Sequence, residues 1–189
     1  MSALARGQRE LFGGAMVVAL PAEWQDMNEL GHPVPDHQEV WCERAGGEGG
    51  SLIFEIVERA SVDDDAAPQY FFDDVAEASG ASSSRLVARG TREAGPMRGV
   101  TCCVALGHMV LAKTGVVGPD HGVDVGIACF RFPEESTDVL ATLNAPALQG
   151  SRLGGEAPLE DLLASPATGM RPLLEVLETL VVDRALFNG

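Results

Sequence analysis

The spacing between strand-like segments constrains this chain more than any single residue does. Runs rich in β-branched and aliphatic residues, bounded by Gly or Pro, predict strands over Ala15–Leu20, Glu39–Glu43, Ser51–Glu58, Arg85–Thr91, Gly99–Ala112, Val123–Phe132 and Thr137–Asn144. Most links between them are too short for a parallel crossover, which needs about a dozen residues or more. The sheet is therefore expected to be mainly antiparallel, with helices packed on its faces, an α+β arrangement. Within Ser51–Glu58, Leu52, Phe54 and Ile56 share one face, while Ile53, Glu55 and Val57 take the other. Both faces are largely apolar, so cover is expected on each side.

Helical signals are fewer. Pro68 opens a predicted helix through Tyr70, Phe71 and Val75, with Gly80 ending it. Asp63, Asp64 and Asp65 precede it, where negative charge suits the helix dipole. Leu173, Leu174, Leu177, Leu180 and Val181 recur at helical spacing and predict a helix from Pro172 to about Val182. A shorter one is expected over Pro158–Leu163. Residues 150–169, rich in Gly, Pro, Ser and Ala, read as a surface excursion before the last helix. A length of 189 residues suits a single domain over 1–189, with residues 1–10 expected to be flexible.

Charge narrows the choice of partner. The chain carries 28 acidic and 13 basic residues, a formal net charge of −15. Such a surface repels nucleic acid and anionic membranes and favours a basic protein partner. No run of 18 apolar residues occurs, so direct membrane insertion is not expected. Cys42, Cys102, Cys103 and Cys129 all lie in apolar strand-like segments without a C-x-x-C pair. Adjacent Cys102 and Cys103 should point to opposite faces, so buried reduced thiols are expected rather than a disulfide or metal site. Phosphate-binding, nucleophile-elbow and metalloprotease motifs are missing from the sequence. The expectation is a binding protein, not an enzyme, with no cofactor. Arg131 alternates with Phe130 and Phe132 and is expected to be a buried ion-pair partner.

The segment Pro33-Val34-Pro35-Asp36-His37-Gln38-Glu39-Val40 carries the strongest functional signal. Its prolines stiffen the chain in an extended form. Asp36 is placed to close a turn through its own carboxylate. A preorganised corner should then present Asp36 and Glu39 at a sheet edge with little ordering entropy left to lose. Trp41 follows on the strand, where an interface anchor and a core residue are both open readings.

Leu11-Phe12-Gly13-Gly14-Ala15, the P-V-P-D-x-Q-E-V loop and the Phe72-Asp73-Asp74-Val75 segment come in an order that resembles the Ran guanine-nucleotide release factor family. The resemblance runs from about Leu11 to Phe187 and is weaker over Gly46–Gly50, Ser61–Ala67 and Gly150–Gly169. It implies a three-layer α/β/α sandwich around an antiparallel, PsbP-like sheet. It also implies binding to the small GTPase Ran with promotion of guanine-nucleotide release, in support of nucleocytoplasmic transport. By that likeness Asp36 and Glu39 contact Ran, with Gln38, His37 and Trp41 beside them. A monomer in nucleus and cytoplasm is expected, with room for a Ran-binding helper protein. Two alternatives stand beside this one. The first is an adaptor on the same fold without exchange activity. The second is a lumenal photosynthetic protein, which would need a transit peptide longer than the start Met1–Leu4 offers.

Overall fold

The computed structural model describes residues 7–43, 49–111, 121–147, 149–155 and 157–188. The first six residues, part of Gly46–Gly50 and the expected strand end at Ala112 lie outside the described residues. The strands are β1 (Gln8–Leu11), β2 (Met16–Ala19), β3 (Trp24–Asp26), β4 (Gln38–Glu43), β5 (Ser51–Glu58), β6 (Ala81–Glu93), β7 (Thr101–Leu111), β8 (His121–Phe132), β9 (Thr137–Pro146) and β10 (Val181–Val182). The helices are α1 (Ala67–Ala78), α2 (Leu159–Ala164) and α3 (Arg171–Thr179). Seven strands form one sheet in the order β3-β4-β5-β9-β8-β7-β6, each neighbouring pair antiparallel. Strands β1, β2 and β10 make a second, smaller sheet.

Alternation along the strands sorts two apolar clusters onto opposite faces of the large sheet. Leu52, Phe54, Val104, Leu106, Phe130 and Leu143 join α2, α3 and the small sheet on one face. Cys103, Ala105, Met109, Ile127 and Cys129 meet Phe71 and Phe72 of α1 on the other. Cys102 and Cys103 fall in different clusters, as their adjacency on a strand requires. Two glycines allow the helices close to the sheet. A Cβ on Gly107 would lie 2.2 Å from the Phe72 ring, and one on Gly126 would lie 2.7 Å from Leu173 Cδ2. The layers are thus helix, sheet, and a mixed layer of helices with the small sheet.

Several expectations are corrected. Residues 8–10, expected to be flexible, belong to β1, because the glycine turn folds them back on β2 and Leu11 is fully buried. The last helix stops at Thr179 instead of Val182. Val181 and Val182 are β-branched and pair with Val17 and Met16, completing the small sheet. Strand β6 extends to Ala81–Glu93, well beyond Arg85–Thr91. The short polar strand β3 carried no periodic signal. Segment 150–169 is only partly a surface excursion, since Leu153, Leu162 and Leu163 are buried. Asp124, fully buried, anchors it by accepting from Arg152 N–H at 2.7 Å while its other oxygen meets His108 Nδ1 at 2.9 Å. Finally, α1 packs across β6, β7 and β8, so Ile53 and Glu55 are only half-buried, lining a cleft with Asp74, Val75 and Ala78 of α1. Val57 packs against the α1-side cluster.

Arg131 occupies the ion-pair position expected of it. It is 2% exposed, its Nε lies 3.0 Å from Asp138 Oδ1, and Nη2 donates to Ala60 O and Val62 O. Asp138 Oδ2 accepts from Ala60 N–H at 3.0 Å. Burial pushes the Asp138 carboxyl up, and the Ala60 N–H and the Arg131 guanidinium pull it back. Asp138→Asn would leave the buried guanidinium with only the partly exposed Asp64 carboxylate, 3.6 Å away, and is expected to cost about 3 kcal/mol, read as a lowered urea midpoint. Replacing both partners with apolar residues of similar volume should recover much of that loss.

Candidate functional site

Backbone bonds set the shape of the proline corner. Gln38 N–H donates to Pro35 O at 2.9 Å, closing a turn over Pro35–Gln38. Asn28 braces the approach, its Oδ1 accepting from Val34 N–H at 3.2 Å. His32 N–H donates to Met27 O, and Ile56 N–H donates to His37 O, so both arms of the corner are tied down. The main chain, not the Asp36 side chain, closes the turn. The Asp36 carboxylate is consequently exposed, without a hydrogen bond or ion pair among the described residues. His37 is exposed beside it.

Glu39 takes a different position. Its half-buried carboxylate accepts from the backbone N–H of Phe12, in the turn that joins β1 to β2. That turn runs left-handed through Phe12 (φ 50°), Gly13 (φ 66°) and Gly14 (φ 92°). Glycine adopts such angles freely, whereas phenylalanine does so at a cost that surrounding contacts must offset. Glu39 supplies one of those contacts. The two strongest sequence motifs, far apart in the chain, are thereby joined by a single side chain.

The electrostatics fit this role. Burial pushes the Glu39 carboxyl above its ordinary value. The Phe12 N–H opposes the rise, Asp26 on neighbouring β3 adds to it, and the Trp41 indole opposes it. The Glu39 carboxyl thus sits in a partly dry, acidic neighbourhood, held by a backbone dipole, with no arginine beside it in the described structure.

The remaining sequence candidates diverge. Gln38 points to the opposite face from Glu39 and donates to Glu55 Oε1. Trp41 is 7% exposed and packs in the core, with the Arg9 guanidinium 6.0 Å from its ring. It supports the strand from beneath and does not offer its ring to a partner. The five candidates therefore form an exposed tip, Asp36 and His37, above half-buried Gln38 and Glu39 and buried Trp41. Sequence reasoning missed Phe12 as Glu39's partner and Asn28 as the brace. The Phe-Gly-Gly run was the available signal for the first.

No thiol is activated here. Burial pushes Cys102 and Cys129 far up and Cys103 to about 11, and it raises half-buried Cys42 as well. Among the described residues, no group of three His, Cys, Asp or Glu side chains is placed to hold a metal ion, and no helix is long and apolar enough to cross a membrane.

Residues 9–146 match the family described as Ran-interacting Mog1 protein. The Ran guanine nucleotide release factor of Bos taurus is 36% identical over 157 residues, which cover 77% of this chain and 80% of that protein. The nuclear import protein MOG1 of Saccharomyces cerevisiae is 26% identical over 189 residues, covering 94% of this chain and 83% of the relative. A solved structure of a variant of protein Mog1 superposes with a TM-score of 0.70 at 25% identity, covering 95% of this chain and 97% of the other.

Glu39→Ala should leave the Phe12 N–H without its acceptor and cost about 1–3 kcal/mol in chemical unfolding. Glu39→Gln retains an acceptor and should cost less. Because the folded protein binds the Glu39 proton more tightly than the unfolded chain does, this group's contribution to stability falls as pH rises from the ordinary carboxyl value through the raised one. Unfolding midpoints measured across that window should therefore decline less in Glu39→Gln than in the parent protein.

Proposed function

The chain belongs to the Ran-interacting Mog1 family, and from that premise we propose that it binds the GTPase Ran and promotes release of guanine nucleotide, in support of nuclear import. It acts as a regulator with no chemical step of its own, working in nucleus and cytoplasm. The observation that carries the docking site is the rigid, solvent-facing Asp36 carboxylate, unclaimed by any described residue of its own chain. His37 shares the exposed tip. Glu39 acts through the Phe12 turn it holds and through its charge at the same corner, while Gln38 and Trp41 fix the strand beneath.

The energetics are within reach of so small a site. Loosening nucleotide a thousandfold needs about 4 kcal/mol of coupling between two binding events. Charge-assisted bonds that become desolvated on docking are worth about 1.5–3 kcal/mol each, so two suffice where exposed pairs would not. Linkage is reciprocal: a partner bound more tightly without nucleotide must itself weaken nucleotide binding. The stiff proline corner helps by reducing the entropy lost on docking.

Stopped-flow release of a fluorescent guanine nucleotide from Ran tests the proposal. The parent protein should accelerate release, and Asp36→Lys should lower that acceleration about tenfold or more with an unfolding midpoint close to the parent's, because the side chain is exposed. Normal acceleration by Asp36→Lys would remove the corner as the docking site. Tight Ran binding with unchanged release would favour an adaptor role instead.

A further inference from the structure

Ten arginines lie among the described residues of this acidic chain. Arg59, Arg92, Arg131, Arg152, Arg171 and Arg184 each stand within ion-pair distance of a carboxylate. Arg9 lies over the Trp41 ring. Arg85, Arg89 and Arg98 have no such partner among the described residues, although the sequence offers two acidic residues for every basic one. All three are exposed, and they fall within 14 residues of one another, on β6 and its connection to β7. Residues 81–99 carry four arginines against one acidic residue, Glu93.

Strand β6 is also an end strand of the large sheet, paired among the described residues with β7 alone. It is the longest strand, 13 residues, and its open edge is a row of backbone donors and acceptors. Ser82, Ser83 and Ser84 are small and exposed, leaving that backbone approachable. Its register breaks between Ala81 and Ser83 and between Leu86 and Ala88. The bulges shorten the regular stretch open to any added strand, and the like charges oppose pairing with a second copy of β6. An acidic strand meets attraction at the same place. Helix α2 gives a small instance of this preference, its Glu160 lying 3.2 Å from Arg92 at the far end of the strand.

We propose that the open edge of β6, from Ser82 to Arg89, docks an extended acidic segment of a partner protein by strand addition. Backbone pairing supplies the affinity, and Arg85 and Arg89 select for acidic side chains. The site is independent of the Asp36 corner, which adjoins β4 at the other end of the strand order.

A fluorescein-labelled peptide with Glu-Glu pairs separated by Thr and Val, titrated into the full chain at low salt, tests this by anisotropy and by amide shifts in NMR. The pairs place carboxylates on both faces, because the bulge sets Arg85 and Arg89 opposite His108 and Ala105. The Glu peptide should bind, with shifts concentrated on Ser82–Arg92, and added salt should weaken it. Arg85→Glu combined with Arg89→Glu should weaken it about tenfold or more, and the milder Arg85→Gln with Arg89→Gln should fall between. These variants should leave Ran nucleotide release unchanged, so this proposal can fail while the Asp36 site stands, and the reverse. Absence of binding, equal binding of a Lys-for-Glu or proline-interrupted peptide, indifference to the arginine substitutions, or shifts centred on Pro33–Glu39 would each overturn it.

Discussion

The buried pairing of Arg131 with Asp138 is the interaction on which the rest of the arrangement turns. The two residues sit opposite one another on β8 and β9, so their contact marks the register at the centre of the seven-stranded sheet. The same guanidinium gathers Ala60 O and Val62 O, with Asp64 Oδ1 3.6 Å away. The connection from β5 to α1 is thereby drawn over the sheet end, and α1 is delivered to β6, β7 and β8. Gly107 then lets Phe72 approach the backbone of β7. Because α1 is committed to that side, β4 and β5 keep a half-buried face next to the proline corner.

At the opposite end from β6, a second carboxylate does analogous work. Glu39 holds the left-handed turn at Phe12 against the start of β4, so the small sheet and the large one meet at the corner that presents Asp36. Two carboxylates three residues apart consequently have unequal tasks. Backbone bonds close the Asp36 turn and leave its charge facing solvent, while strand alternation turns Glu39 toward the chain's own amide. A rigid corner of this kind loses little entropy when it docks.

Charge is also distributed unevenly over the sheet. The acidic corner adjoins one edge, and Arg85 and Arg89, without a carboxylate partner among the described residues, lie on the strand at the other. A net charge of −15 would have suggested a uniformly acidic surface. Local ion pairing instead engages six of the ten described arginines and leaves Arg85, Arg89 and Arg98 on β6 and the connection after it. Net charge governs long-range encounter, but the patch decides which partner surface fits.

Sequence alone determined what depends on local periodicity and stereochemistry. The β5 span, the helix opened by Pro68, the opposed faces of Cys102 and Cys103, and the burial of Arg131 all follow from alternation, fixed φ angles or the absence of a competing signal. The stiffness of the proline corner was legible for the same reason. Tertiary structure decided whatever depended on a partner distant in the chain. Val181 and Val182 became a strand because β2 offered an open edge, residues 8–10 were ordered by the same sheet, and Trp41 joined the core cluster opposite Leu52 of β5. Glu39 turned inward because the Phe12 N–H stood 27 residues earlier in the chain yet adjacent in space. A carboxylate's task is set by which dipoles and charges surround it, and only the folded chain assembles those.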